Sequence, residues 1–80
     1  MSLVEKVRGV IADTFGIPLD GIPPEAEYGT VEGWDSMGHI MLIGQLERVF
    51  QVTFTIQEIP NLTSIKGITQ ILTAKGISVQ

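Results

Sequence analysis

Two neighbouring stretches of this chain impose opposite demands on the backbone. Pro18, Gly21, Pro23, Pro24, Gly29 and Gly33 crowd the segment 17–34 and exclude a long helix or a central strand there. The segment from Ser36 to Phe50 follows directly, free of proline and patterned as a helix. Asp35, at the junction, is a favoured N-cap residue, because its carboxylate can accept hydrogen bonds from first-turn amides. Ser36 therefore takes the first helical position, with its hydroxyl on the rim. Free amides and the helix dipole favour negative charge at such a place, so a phosphate fits on this serine. The position suits a modified serine better than a catalytic one.

The rest of the chain reads as further helices. Ser2-Leu3-Val4-Glu5 has the form of a capping box, and Leu3, Val7, Val10, Ile11 and Phe15 then recur at helical spacing. Gly16 and Pro18 supply the stop, so the first helix covers about 3–15 and a loop covers 16–35. Ile17, Leu19, Ile22, Tyr28, Val31 and Trp34 are expected to peg that loop across the helices. In the second helix, about 36–50, Leu42, Ile43, Leu46, Val49 and Phe50 share the face assigned to the core. Met37, Met41 and Gly44 fall together on the other side, beside Gly38 and Arg48. Gly44 weakens a helix by about 1 kcal/mol relative to alanine without adding a packing atom. Methionines with small neighbours suit adaptable recognition, so this is the expected partner face.

Val52-Thr53-Phe54-Thr55-Ile56 alternates like a strand but has no partner elsewhere in the chain. Thr55-Ile56-Gln57-Glu58 forms a second capping box, which points to a short helix over about 56–60 ended by Pro60. The last helix, about 64–75, starts from Thr63 or Ser64, turns Ile65, Ile68 and Leu72 inward, and closes at Lys75-Gly76. The expected architecture is all-α, with three main helices, one short helix and a long first loop, forming a single domain over 1–80. No internal repeat or low-complexity segment is present.

Eighty residues give a small core, because chains of this size bury only about 60% of their unfolded surface. There is no cysteine and a single histidine, His39, which excludes disulfides and any thiolate or histidine-rich metal site. The carboxylates lack calcium-loop spacing. The first residues lack the order of a secretory signal, and no apolar run approaches the ~20 residues of a membrane span, so a cytoplasmic location is expected. The net charge of −4 without a basic cluster argues against nucleic acid and for a basic protein surface as partner. Asp20, Glu25, Glu27, Glu32 and Asp35 lead up to Ser36 with no basic residue among them, and can steer such a partner. A mean hydropathy of +0.31 leaves apolar side chains to expose or to line a cavity. Ser36 and His39, three apart on a helix, invite a hydrolase reading. It fails because no second carboxylate orients His39 and no strand-to-helix elbow presents the serine. His39 is expected to be half-buried and satisfied. Asn61-Leu62-Thr63 matches the glycosylation acceptor pattern, but Thr63 serves better as a cap.

Trp34-Asp35-Ser36-Met37 resembles the signature of the acyl carrier protein and peptidyl carrier protein family, Asp-Ser-Leu, with methionine for leucine. Chain length, the long loop after the first helix, Gly29-Thr30-Val31-Glu32-Gly33-Trp34 ahead of the motif, and Leu42 through Phe50 with Glu47 extend the resemblance over essentially the whole chain. It implies a four-helix acyl-carrier-like bundle without catalytic residues. A phosphopantetheinyl transferase would move 4'-phosphopantetheine from coenzyme A to Ser36, with Asp35, Met37 and Gly38 around the attachment point. Gly38, one turn in, is expected to leave room there. The arm's thiol would carry an acyl or aminoacyl group as a thioester to loading and acceptor enzymes. Fatty-acid carriers typically have an acidic second helix, whereas Gly38, Met41, Gly44, Gln45 and Arg48 stand here. A discrete, monomeric carrier of a specialised pathway is expected instead. Met37, Met41, Gly44, Arg48 and Glu32 would meet its partners. An unmodified helical adaptor that binds a partner non-covalently is the alternative, and only the carrier needs Ser36.

Overall fold

A computed structural model describes residues 2–77. It contains three α-helices, α1 (Leu3–Phe15), α2 (Ser36–Phe50) and α3 (Ile65–Ala74), and no strand among the described residues. α1 is central and packs against both α2 and α3. Val7 and Ile11 of α1, Leu42 and Leu46 of α2, and Ile68 and Leu72 of α3 are all fully buried in one cluster. Each helix is capped as its sequence dictates. The hydroxyls of Ser2 and Ser64 and the carboxylate of Asp35 accept from the amides of Glu5, Gly67 and Gly38. Only half of the first capping box closes, because the Glu5 carboxylate pairs with Arg8 at 3.5 Å. α1 ends on Gly16 at φ 67°, a left-handed conformation that glycine adopts without a Cβ penalty.

The long loop is ordered by a few deep anchors. Ile22, Ala26, Val31 and Trp34 are buried, and Ala26 carried no apolar signal strong enough to be expected there. Leu19 and Tyr28, two of the expected pegs, are instead 44% and 41% exposed. Arg8 replaces Leu19 as the tie at that end, donating to the carbonyls of Ile22 at 2.6 Å and Leu19 at 3.2 Å. These bonds hold a 3-10 turn, Leu19–Gly21, against α1. Further on, the loop is stitched to the start of α3. The Tyr28 amide donates to the Thr63 carbonyl at 2.7 Å, and the Ile65 amide to the Ala26 carbonyl at 3.2 Å.

Trp34 is the deepest anchor, 1% exposed, and its indole N–H donates to His39 Nδ1 at 3.0 Å. The indole neighbours both Phe15 and His39, each ring centroid 6.3 Å away and roughly parallel. Gly38 lets this loop close on α2. A Cβ at Gly38 would land on the Gly33 carbonyl oxygen and reach within 2.8 Å of the Phe15 ring. The room expected beside Ser36 at Gly38 is therefore absent, because the glycine faces inward and the loop fills the space. Val49, expected in the core, is 42% exposed, because the buried stripe of α2 narrows to Gly38, Leu42, Leu46 and Phe50.

The connection from α2 to α3 holds the short helix expected over about 56–60. It takes the form of a turn running into a 3-10 helix, Ile59–Asn61. Its capping box does form, with the Thr55 amide on Glu58 at 2.8 Å and the Glu58 amide on the Thr55 hydroxyl at 3.3 Å. Pro60 lies inside the 3-10 turn rather than after it, where a missing N–H costs nothing. Lys75 ties this connection to the end of α3 through Glu58 at 2.8 Å and the Thr53 carbonyl at 2.9 Å. The Lys75 hydrogen bond holds the Glu58 carboxyl below the usual range. The Glu47 carboxylate accepts from the Phe54 amide at 2.9 Å, seating Phe54 in the core.

Gly38→Ala is expected to destabilise the fold by about 1–3 kcal/mol through overpacking, lowering the melting temperature by about 4–8 °C per kcal/mol in a domain of this size. Gly44 has open space where a Cβ would stand, so Gly44→Ala is expected to raise stability by about 0.5–1 kcal/mol. Thermal melting of the pair checks both signs. Burial lowers the His39 pKa from 6.5, and a protonated Nδ1 could not accept from Trp34. The unfolded chain then binds the proton first. The stabilisation is present above the unfolded value and is lost as pH falls through the folded one. Denaturant midpoints measured at about pH 7.5 and 5.5 should fall for the wild type. His39→Gln, whose amide oxygen can still accept from the indole, should show a smaller fall.

Candidate functional site

The site begins at the residue after the Trp34 anchor. Once Trp34 is inserted, the chain must emerge from the core, and Asp35 and Ser36 come out at the surface at the head of α2. The Trp34 carbonyl accepts from the Gly29 amide at 3.1 Å and the Trp34 amide donates to the Val31 carbonyl at 3.0 Å, closing the loop 29–34 behind them. Asp35 is extended, at φ −118° and ψ −164°, as an N-cap should be, and its carboxylate turns back to the Gly38 amide at 2.9 Å. Its carbonyl takes the first helical bond, from the His39 amide at 2.7 Å.

Ser36 is exposed at the first position of α2. Its hydroxyl lies 3.1 Å from the Tyr28 hydroxyl, and either can donate. The first turn of α2 contains no acidic side chain, so a substituent on Ser36 meets the positive end of the helix dipole. These features fit a phosphodiester on Ser36: an accessible hydroxyl, a capped helix end, and the Asp35 carboxylate occupied with Gly38.

His39 does not serve Ser36. Its Nδ1 accepts from the Trp34 indole, which fixes a neutral imidazole with its proton on Nε2, and burial lowers its pKa in the same sense. The Ser36 hydroxyl is engaged with Tyr28. The histidine braces the anchor, and the serine is a surface alcohol without a base.

The outer face of α2 begins beside the serine. Met37 is 75% exposed and Met41 56%, and Gly44 and Arg48 continue the same stripe one and two turns on. Ile40, 70% exposed and one turn after Ser36, belongs to this surface although sequence reasoning passed over it. The i, i+4 relation of Ile40 to the serine was the available signal. Glu32 is also exposed, in the loop before Trp34. Tyr28 was the residue missed outright as a site neighbour, because it reaches Ser36 through the loop's attachment to α3. Among the described residues no helix is long and apolar enough to cross a membrane.

Comparison with known proteins agrees with this geometry. The family described as "Phosphopantetheine attachment site" matches residues 5–72. Two sequences of the non-reducing polyketide synthase pks11 from Talaromyces marneffei are similar to this chain, each 31% identical over 70 residues. The alignment covers 88% of this chain but 3% of the synthase, so the chain spans a small fraction of the length of these relatives. A match over most of the chain, on a helical bundle that presents a serine at a capped helix end, places it: the chain belongs to the phosphopantetheine-binding carrier family, whose members bear a covalent 4'-phosphopantetheine and carry cargo rather than catalyse.

Proposed function

We propose that Ser36 is the residue that bears the 4'-phosphopantetheine arm, and that this protein carries acyl intermediates for a specialised assembly pathway of polyketide type. The exposed hydroxyl at the head of α2 carries the first part of this reading. Its setting supports each requirement in turn. Asp35 caps the helix without covering the serine. The Trp34 anchor holds the backbone on either side of the motif. The dipole of α2 favours an anionic substituent at that end. When bound, the arm supplies a terminal thiol on which cargo is held as a thioester. The protein contributes attachment, orientation and a surface that other enzymes read, and the tether raises the effective concentration of cargo at a docked active site.

The pathway reading draws on the similarity to a polyketide synthase and on the character of α2. Met37, Ile40 and Met41 form an apolar surface continuous with Ser36. Acyl-handling enzymes docking at the serine would cover it, with Gly44 and Arg48 further along and Glu32 at the loop side. Asp35, Met37 and Gly38 frame the attachment point, Gly38 by permitting the tight turn behind it rather than by making space. The carboxylates of the loop add a field that favours basic partner surfaces.

Incubation with coenzyme A, magnesium and a promiscuous phosphopantetheinyl transferase should add one phosphopantetheine mass to the wild type and none to Ser36→Ala, read by intact mass spectrometry. Met41→Glu should be pantetheinylated normally but loaded about tenfold more slowly by the cognate acyl-loading enzyme, the scale of a lost apolar contact of about 1.4 kcal/mol. Equal loading of the two proteins would remove Met41 from the partner surface.

A further inference from the structure

The Tyr28 hydroxyl is placed on Ser36 by more structure than a surface contact needs. Tyr28 lies in a turn whose ends are tied. The Thr30 hydroxyl accepts from the Glu27 amide at 2.9 Å and donates to the Glu27 carbonyl at 2.7 Å. The Tyr28 amide is held by the Thr63 carbonyl at 2.7 Å, next to the antiparallel bridge between Glu27 and Ser64. Its ring stands edge-on to His39, with centroids 5.6 Å apart and planes at 90°. The backbone thus fixes the ring from the α3 side, and His39 fixes it from the α2 side. The ring contact needs no hydroxyl. The bond from the phenol to Ser36 Oγ is its one hydrogen bond among the described residues.

We infer that Tyr28 is a positioning residue for the arm, donating its hydroxyl hydrogen to the phosphodiester on Ser36 and so setting the direction in which the arm leaves α2. This rests on the reading of Ser36 as the attachment residue. In that modification an Oγ–phosphorus bond forms and the pyrophosphate P–O bond of coenzyme A breaks. Adenosine 3',5'-bisphosphate leaves, and the serine proton passes to the transferase. The esterified Oγ has no hydrogen and can only accept. The ambiguity of the present pair then disappears: Tyr28 must donate, either to Oγ or to an adjoining phosphate oxygen. Donation to an anionic acceptor is shorter and stronger than donation between neutral hydroxyls. The phenol would hold the phosphate at the positive end of α2, leaving the freely rotating bonds beyond it.

Holo wild type and holo Tyr28→Phe, prepared with a transferase and coenzyme A and verified by intact mass, test this. The variant keeps the ring against His39, so both proteins should take up one phosphopantetheine and melt within a few degrees of each other. The phosphorus resonance of the phosphodiester should move by more than its linewidth in Tyr28→Phe, and its transverse relaxation should slow as local motion increases. Superimposable phosphorus spectra with equal relaxation, in two fully modified proteins, would overturn the role of Tyr28 and leave the attachment reading intact. A wild type that gains no phosphopantetheine mass would overturn the attachment reading, and this inference with it.

Discussion

The placement of the serine depends on the burial of one residue two positions before it. Trp34 is the largest fully buried side chain of the domain, and it stands between the long loop and α2. An indole cannot be buried cheaply with its N–H unpaired, and His39 Nδ1 satisfies it from the second turn of the same helix that Asp35 caps. Anchor, cap and brace therefore occupy positions 34, 35 and 39, and their geometry leaves position 36 at the surface. The inward side of that helix turn is closed by backbone, since the Gly33 carbonyl lies where a side chain at position 38 would be. Ser36 itself is exposed, so a substituent on its hydroxyl extends away from the core.

A carrier must keep its attachment point rigid while the cargo moves, and this fold separates the two tasks. Rigidity comes from long-range ties onto the loop: Arg8 to Ile22, Tyr28 to Thr63, and Ile65 to Ala26. Each draws a loop carbonyl or amide to a helix or its flank, so the eighteen-odd residues of loop that a small domain would seldom tolerate without secondary structure behave as part of the scaffold. In the proposed reading recognition falls to α2, where Met37, Ile40 and Met41 are exposed beside the serine. Methionine is flexible and polarizable, which suits a surface that several enzymes must engage in succession.

The helices were legible because capping residues and apolar periodicity agree in them. Ser2, Asp35 and Ser64 each cap the helix that the periodicity requires. Side-chain exposure was less legible. Val49 falls on the apolar arc of a helical wheel, yet the core touches only a narrow stripe of α2, and the wheel cannot tell where the neighbouring elements stop. Gly38 read as open space, because a missing side chain looks the same in sequence whether solvent or a carbonyl replaces it. The capping box at Thr55 was recognised, but a proline two residues beyond Glu58 allowed only a 3-10 turn. At the site, Asp35 and Ser36 could be read from local rules. Tyr28 could not, since its approach to Ser36 is set by pairing between the loop and residues near position 63.

The claim that one serine is singled out by its place at the head of α2 has a direct measurement. Trypsin should release the peptide from Gly9 to Arg48, which contains Ser36 and no other serine. After pantetheinylation, fragmentation of that peptide should eject the arm and assign it to position 36, with the peptides carrying Ser2, Ser64 and Ser78 unmodified. An arm found on any other residue, or distributed among several hydroxyls, would contradict the account.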